Sequence, residues 1–169
     1  MVRGFTLIEL IITLAITVSL LFFAAPSFDA LLNKVKMQRL AGALNGFLMQ
    51  AKSEAITRNK KLYVHFSFAH STWITGGVWH LTLTDSSTST GQLLLHLDGA
   101  AYANISIQHS YHSAYISFDG VRGRPNGGHI AFNPHNDPSG ALRVIIANPP
   151  GRVKVCSGSE DRYGYPVCS

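Results

Sequence analysis

The sequence predicts an α+β fold, a long N-terminal helix packed on an antiparallel β-sheet head. Three observations carry it. Apart from Glu9 the stretch Phe5 to Ala25 has no charge and is dominated by apolar residues; roughly 20 such residues at ~1.5 Å each match a ~30 Å hydrocarbon core. From Asp29 to about Thr57 the apolar residues gather on one helical stripe. After Lys61 the apolar period drops to two, in short runs separated by turn-forming residues. A helix followed by a succession of strands is the α+β arrangement, and 169 residues suffice for one modest domain plus an anchor.

The first element raises the question of Glu9. A carboxylate at the centre of a membrane helix costs about 2.5–3.5 kcal/mol by insertion scales, so it needs a partner. A secretory signal peptide does not fit: the start carries only Arg3, the run is too long, and Phe23-Ala24-Ala25 places a bulky residue where a small one is required. A plain anchor fits the length and leaves Glu9 unexplained. The string Gly4-Phe5-Thr6-Leu7-Ile8-Glu9-Leu10 closely resembles the processing motif of type IV prepilins. That resemblance implies cleavage after Gly4 by prepilin peptidase, methylation of the new amine on Phe5, and assembly of the mature helix into a filament core. Phe5 and Glu9 are four residues apart and share a helix face. The carboxylate can therefore meet its own amine or a neighbouring subunit's, offsetting its removal from water.

Pro26 is expected to interrupt and kink the helix. Beyond it, Leu40, Leu44, Phe47, Leu48, Ala51 and Ala55 form the stripe, with Lys36, Arg39, Gln50, Ser53 and Glu54 off it. Gly42 and Gly46 weaken this half by up to ~1 kcal/mol each, and mark either close packing or flexibility. Strands are expected at Leu62–Phe68, Trp79–Thr84, Leu93–Leu97, Ile105–Ile107, Tyr115–Phe118, His129–Phe132, Leu142–Ala147 and Arg152–Cys156. Asp85-Ser-Ser-Thr-Ser-Thr90 reads as a surface loop.

This layout resembles the minor pilin and pseudopilin family known as FimT/GspH, most closely its FimT members. Three further anchors carry the likeness: Gln50-Ala51-Lys52-Ser53-Glu54-Ala55-Ile56 at the helix end, Ile116-Ser117-Phe118-Asp119 with Gly123-Arg124-Pro125-Asn126-Gly127-Gly128 in a central hairpin, and Gly151-Arg152-Val153-Lys154-Val155-Cys156 near the C-terminus. The resemblance implies a type IV pilin fold with a leader at 1–4, a transmembrane and filament-core helix at 5–28, an amphipathic half at 29–57 and a β-rich head at 58–169. It implies a single-pass inner-membrane protein with its head in the periplasm, passing into a pilus or pseudopilus. Its partners are then other pilins or pseudopilins, prepilin peptidase and, before assembly, the inner membrane. In that compartment Cys156 and Cys168 are expected to form a disulfide, contributing about 3 kcal/mol in the chain-entropy model.

No enzyme signature is present: no P-loop, no Gly-x-Ser-x-Gly and no paired carboxylates in one motif. No cofactor is expected. The eight histidines are scattered, His109 and His112 being closest, and read as surface residues of strands and loops rather than metal ligands. The net charge of +5, from 14 basic and 9 acidic residues, suits an anionic partner but is weak evidence alone.

The C-terminal strand pair is more specific. If the connection Asn148-Pro149-Pro150-Gly151 pairs Ala147 with Arg152, the apolar faces match and Arg143, Arg152 and Lys154 emerge together. Arg152 and Lys154 are then about 6.8 Å apart, two strand rises. Like charges so close favour an anion between them, and double-stranded DNA supplies repeating charge. The loop closed by the cysteines adds Arg162 with Tyr163 and Tyr165 for stacking; Arg122 and Arg124 in the central hairpin extend the surface. FimT-type members are associated with non-specific DNA capture for natural transformation through a Gly-Arg-x-Arg signature. Arg152 matches its first arginine; Lys154 replaces the second, keeping charge and losing bidentate geometry. The alternatives are a GspH-type pseudopilin of type II secretion, or a minor pilin acting only in pilus assembly or adhesion.

Overall fold

The computed structural model describes residues 5–149 and 151–169, with the side chains of 23–27 left aside. The leader and Gly4, half of the expected cleavage site, lie outside the described residues. The chain divides into two compact units, Met1–Val35 and Lys36–Ser169.

One helix, α1 (Leu7–Arg58), has its N-terminal part in the first unit and begins at a cap that the motif itself provides. The Thr6 hydroxyl accepts the Glu9 N–H at 3.3 Å, the first bond of a Thr-x-x-Glu capping box. Glu9 thus lies in the first helical turn, where the macrodipole favours negative charge. Thr13, Thr17 and Ser19 donate their hydroxyls to the carbonyls of Leu10, Thr13 and Ala15 at 2.8–2.9 Å. These three hydroxyls are thereby satisfied within the helix. Helix is not interrupted at Pro26, contrary to expectation. Proline removes one ladder hydrogen bond, and the turns on either side retain theirs. Among the described residues no helix is long and apolar enough to cross a membrane; the expected span of 5–28 runs over residues 23–27, whose side chains fall outside them.

The second unit is the head. The C-terminal half of α1 buries Met37, Leu40, Ala41, Leu44, Phe47, Leu48, Ala51 and Ala55, the expected stripe extended by one turn at its start. Gly42 and Gly46 lie on the opposite, exposed side with nothing near a notional Cβ, so close packing within the head does not explain them. The helix ends in a Schellman motif: Lys60 N–H bonds Ala55 O, Asn59 N–H bonds Ile56 O, and Asn59 takes the left-handed conformation. Gly120 passes so close to this terminus that a Cβ there would lie 2.4 Å from the Lys60 nitrogen.

Among the described residues eight strands follow: β1 (Leu62–Phe66), β2 (His80–Thr84), β3 (Leu93–Asp98), β4 (Ile105–His109), β5 (Tyr115–Phe118), β6 (Gly128–Pro134), β7 (Leu142–Ile146) and β8 (Val153–Ser157). They form two antiparallel four-stranded sheets, ordered β3-β2-β1-β5 and β4-β6-β7-β8. Alternation sends Leu62, Val64, Ile116, Phe118, Ile130, Phe132, Leu142 and Val144 into one core with the helix stripe.

His109 corrects the expectation of surface histidines, because it is 1% exposed. Its ring stacks on Phe66 with centroids 3.9 Å apart. Nδ1 accepts the Tyr111 N–H at 3.2 Å, so Nε2 carries the proton and donates to Phe68 O at 3.1 Å. Burial pushes its pKa below 6.5, with nearby His70 acting the same way. A lowered folded pKa means the unfolded chain binds more protons, so stability rises with pH. The contribution is complete above about 6.5 and lost as pH falls through the lowered value. Thermal unfolding between pH 7.5 and 5 is expected to show Tm falling in acid, with a shallower fall in His109→Gln.

Candidate nucleic-acid interface

The β7–β8 hairpin is built by its turn. Ala147 N–H bonds Arg152 O at 3.0 Å and Gly151 N–H bonds Ala147 O at 2.9 Å. Gly151 has φ +77, a conformation that a side chain rarely adopts. The register that follows sets Ile146 opposite Val153, Val144 opposite Val155 and Leu142 opposite Ser157, facing the core. Arg143 opposite Cys156, and Ile145 opposite Lys154, lie on the other face, where Cys156 is nonetheless buried; Ala147 and Arg152 extend that row. Arg152, Lys154, Ile145, Ala147 and Ser169 line an open groove of about 220 Å³. Lys154 Nζ donates to Ser169 Oγ at 3.2 Å. Among the described residues neither Arg143, Arg152 nor Lys154 forms a salt bridge.

Positive charge here is felt by its neighbours. His129 on β6 lies beside Arg143, and its pKa is lowered first by burial and second by that guanidinium.

Arg122 and Arg124 are exposed on the loop after β5. Asp119 holds that loop by accepting the N–H groups of Val121, Arg122 and Arg124, each at 2.8 Å. These bonds, led by that from Arg122, keep its carboxyl below the usual aspartate range. The loop and the β7–β8 turn touch: a Cβ on Gly151 would lie 3.3 Å from Pro125 and 3.5 Å from the Gly123 carbonyl. Lys52 of α1 joins them, donating to Gly151 O at 2.9 Å. The two basic spots are therefore adjacent, with Lys52 a cation that sequence reasoning missed. Its position off the helix stripe was the available signal.

Arg162 stands apart. Its guanidinium donates to Glu160 at 2.9 Å and to Asp137 at 2.9 Å, so two carboxylates already meet its charge. Tyr163 and Tyr165 pack against the core rather than standing free to stack. Cys156 and Cys168 are disulfide-bonded, closing that loop with Cα atoms 5.0 Å apart. At the other end of the chain Phe5 and Glu9 are both exposed. Among the described residues no group of three or more His, Cys, Asp or Glu side chains is placed to hold a metal ion.

Comparison with known proteins locates this architecture. A family profile described as type II transport protein GspH matches residues 40–165. No curated protein sequence matches the chain. Among solved structures, the chain is similar to the type IV minor pilin FimU of Pseudomonas aeruginosa, at 18% identity and a TM-score of 0.57, covering 72% of this chain and 92% of that one. It is also similar to the minor pseudopilin EpsH from the type 2 secretion system of Vibrio cholerae, at 14% identity and a TM-score of 0.54, covering 73% and 98%. At these identities the likeness to the two structures shows the fold.

Proposed function

The chain belongs to the GspH family of minor pilins and pseudopilins, and from that premise we propose that it is a minor type IV pilin that binds double-stranded DNA non-specifically for uptake. Members of this family are filament subunits rather than enzymes. The observation that carries the DNA reading is the outer-face cluster of Arg143, Arg152 and Lys154, free of salt bridges among the described residues and extended by Arg122 and Arg124. Cations fixed on a rigid sheet position a phosphate backbone without reading sequence. Arg162 is not among the contacts in this reading, because its charge is met by Asp137 and Glu160.

The test is titration of the full chain, in detergent micelles, with duplex DNA at two salt concentrations. Binding at low salt that weakens steeply with salt, and does not depend on sequence, is the expected result. No binding at low salt would leave the second reading, a pseudopilin of type II secretion. That reading draws on the family description and on the likeness to EpsH. A deletion strain that loses secretion while keeping transformation would favour it; loss of transformation with intact secretion would favour DNA uptake.

The N-terminal unit has its own part in the proposal. Prepilin peptidase cuts after Gly4, Phe5 is methylated, and the helix waits in the inner membrane until Glu9 meets a Phe5 amine in the filament. Glu9→Ala is expected to lower recovery of the chain in sheared filaments at least ten-fold, with unchanged cellular abundance on immunoblot. Normal recovery would remove Glu9 from assembly.

A further inference from the structure

A second groove lies on the outer face of the same sheet, away from the hairpin turn. It encloses about 470 Å³ and is lined by Trp73, Thr75, Ser106, Asn133, His135 and Pro138. Ile74 forms an isolated bridge with Ile107 of β4, exchanging both backbone bonds at 2.9 Å. Trp73 and Thr75 flank Ile74, so alternation turns both away from the core. Trp73 is 44% exposed, an indole that the fold holds in place without covering.

Ser106 and Asn133 are opposite one another on β4 and β6 and are 6% and 4% exposed. The Ser106 hydroxyl has no hydrogen-bond partner among the described residues. Asn133 uses its amide N–H on Pro134 O, leaving its side-chain oxygen without one. Ser106 and Asn133 line the groove, so a ligand's polar groups can take the place of the water that these two atoms meet there. The arrangement is a large aromatic face beside hydroxyl and amide groups, the requirements for holding a flat, polar ring.

The groove also has a direction. Asn133, Ala131 and His129 follow one another along the outer face of β6, and Ala131 is opposite Arg143. Strand geometry puts Arg143 about 8 Å from Asn133, backbone to backbone. His129 feels that guanidinium directly. A ring seated at Trp73 would thus have a cation within one side chain's reach for an attached phosphate. A neutral sugar would make no use of it.

We infer that the Trp73 groove seats an unpaired nucleobase of a DNA strand whose phosphates run across His129 and Arg143 toward Lys154. This rests on the DNA-binding reading and deepens it: the sheet face takes single-stranded as well as duplex DNA. Duplex binding draws on the cations, and only a strand with free bases engages Trp73.

Tryptophan emission separates these. The chain has two tryptophans, and the other, Trp79, is buried at 1% exposure. Oligothymidylate added to the full chain in detergent micelles should quench the exposed indole, while duplex DNA binds with little quenching. Trp73→Ala should weaken oligothymidylate roughly ten-fold, within the range of single-base stacking, and leave duplex affinity unchanged. Trp73→Phe should restore most of the loss. Equal binding of oligothymidylate by wild type and Trp73→Ala would overturn the inference. So would quenching by a neutral chito-oligosaccharide and not by oligothymidylate, which would make the groove a sugar site. Quenching by oligothymidylate without any duplex binding would sustain the base seat and sink the duplex reading.

Discussion

Replacing Arg152 and Lys154 together with alanine is expected to weaken duplex DNA binding by about a hundred-fold at low salt. The two side chains share the outer face of one hairpin and line one groove. A charge-assisted bond to phosphate is worth about 1.5 kcal/mol at the low end of its range, a little over ten-fold for each residue. The more discriminating readout is the salt slope. Each phosphate neutralised contributes about 0.9 to the slope of log K against log salt, so the double variant should be shallower by about 1.8. Arg162→Ala serves as the control, since its guanidinium is held by Glu160 and Asp137. It should leave the slope unchanged. Lys154→Arg provides the opposite arm, because a planar fork bonds a phosphate through two N–H groups where an ammonium acts as a point charge. It should tighten binding. A double variant with the slope of the wild type would move the interface away from this hairpin.

Pattern and chemistry differ in how far they could be read without coordinates. The helix stripe from Leu40 to Ala55 and all eight strands follow from periodicity, because burial acts on one face at a time and leaves its period in the chain. The hairpin register was legible too: a tight connection at 148–151 that pairs Ala147 with Arg152 matches the apolar faces, and that pairing is the one observed. The division into two sheets was not, because strand order depends on long-range pairing that no local pattern records. Arg162 illustrates the same limit at the site. Its carboxylate Asp137 is 25 residues away, and nothing in the intervening sequence announces the pair. His109 looked like one more scattered histidine, and its burial arises from Phe66 on a strand of the other sheet and Phe68 just beyond that strand. The Trp73 groove has no sequence signature, being assembled from a loop, two strands and a 3₁₀ turn.

Removing the disulfide is expected to separate stability from binding. Cys156→Ala/Cys168→Ala is the better form of the test, because a serine hydroxyl at fully buried Cys156 would need a partner. The bridge joins residues 12 apart in sequence. In the chain-entropy model a loop of that length contributes about 3 kcal/mol, mostly by restricting the unfolded chain. At about 2–4 °C per kcal/mol for a protein of this size, Tm should fall by roughly 10 °C. The folded loop itself keeps other ties: Gln38 donates to Tyr163 O at 2.7 Å, Arg162 holds Asp137, and Ser157 exchanges backbone bonds with Pro166 and Cys168. The native geometry should therefore survive below the new Tm. Arg143, Arg152 and Lys154 are positioned by the β6–β7–β8 ladder rather than by that loop. The salt slope for duplex DNA, measured well below the transition, should equal that of the wild type. Lys154 donates to the Ser169 hydroxyl, next to Cys168, and freeing that end leaves the ammonium available to phosphate. A stability loss with an intact slope would place the binding surface on the sheet. A slope that fell with the disulfide would place part of it on the loop, and Arg162 would have to be released from its carboxylates when DNA arrives.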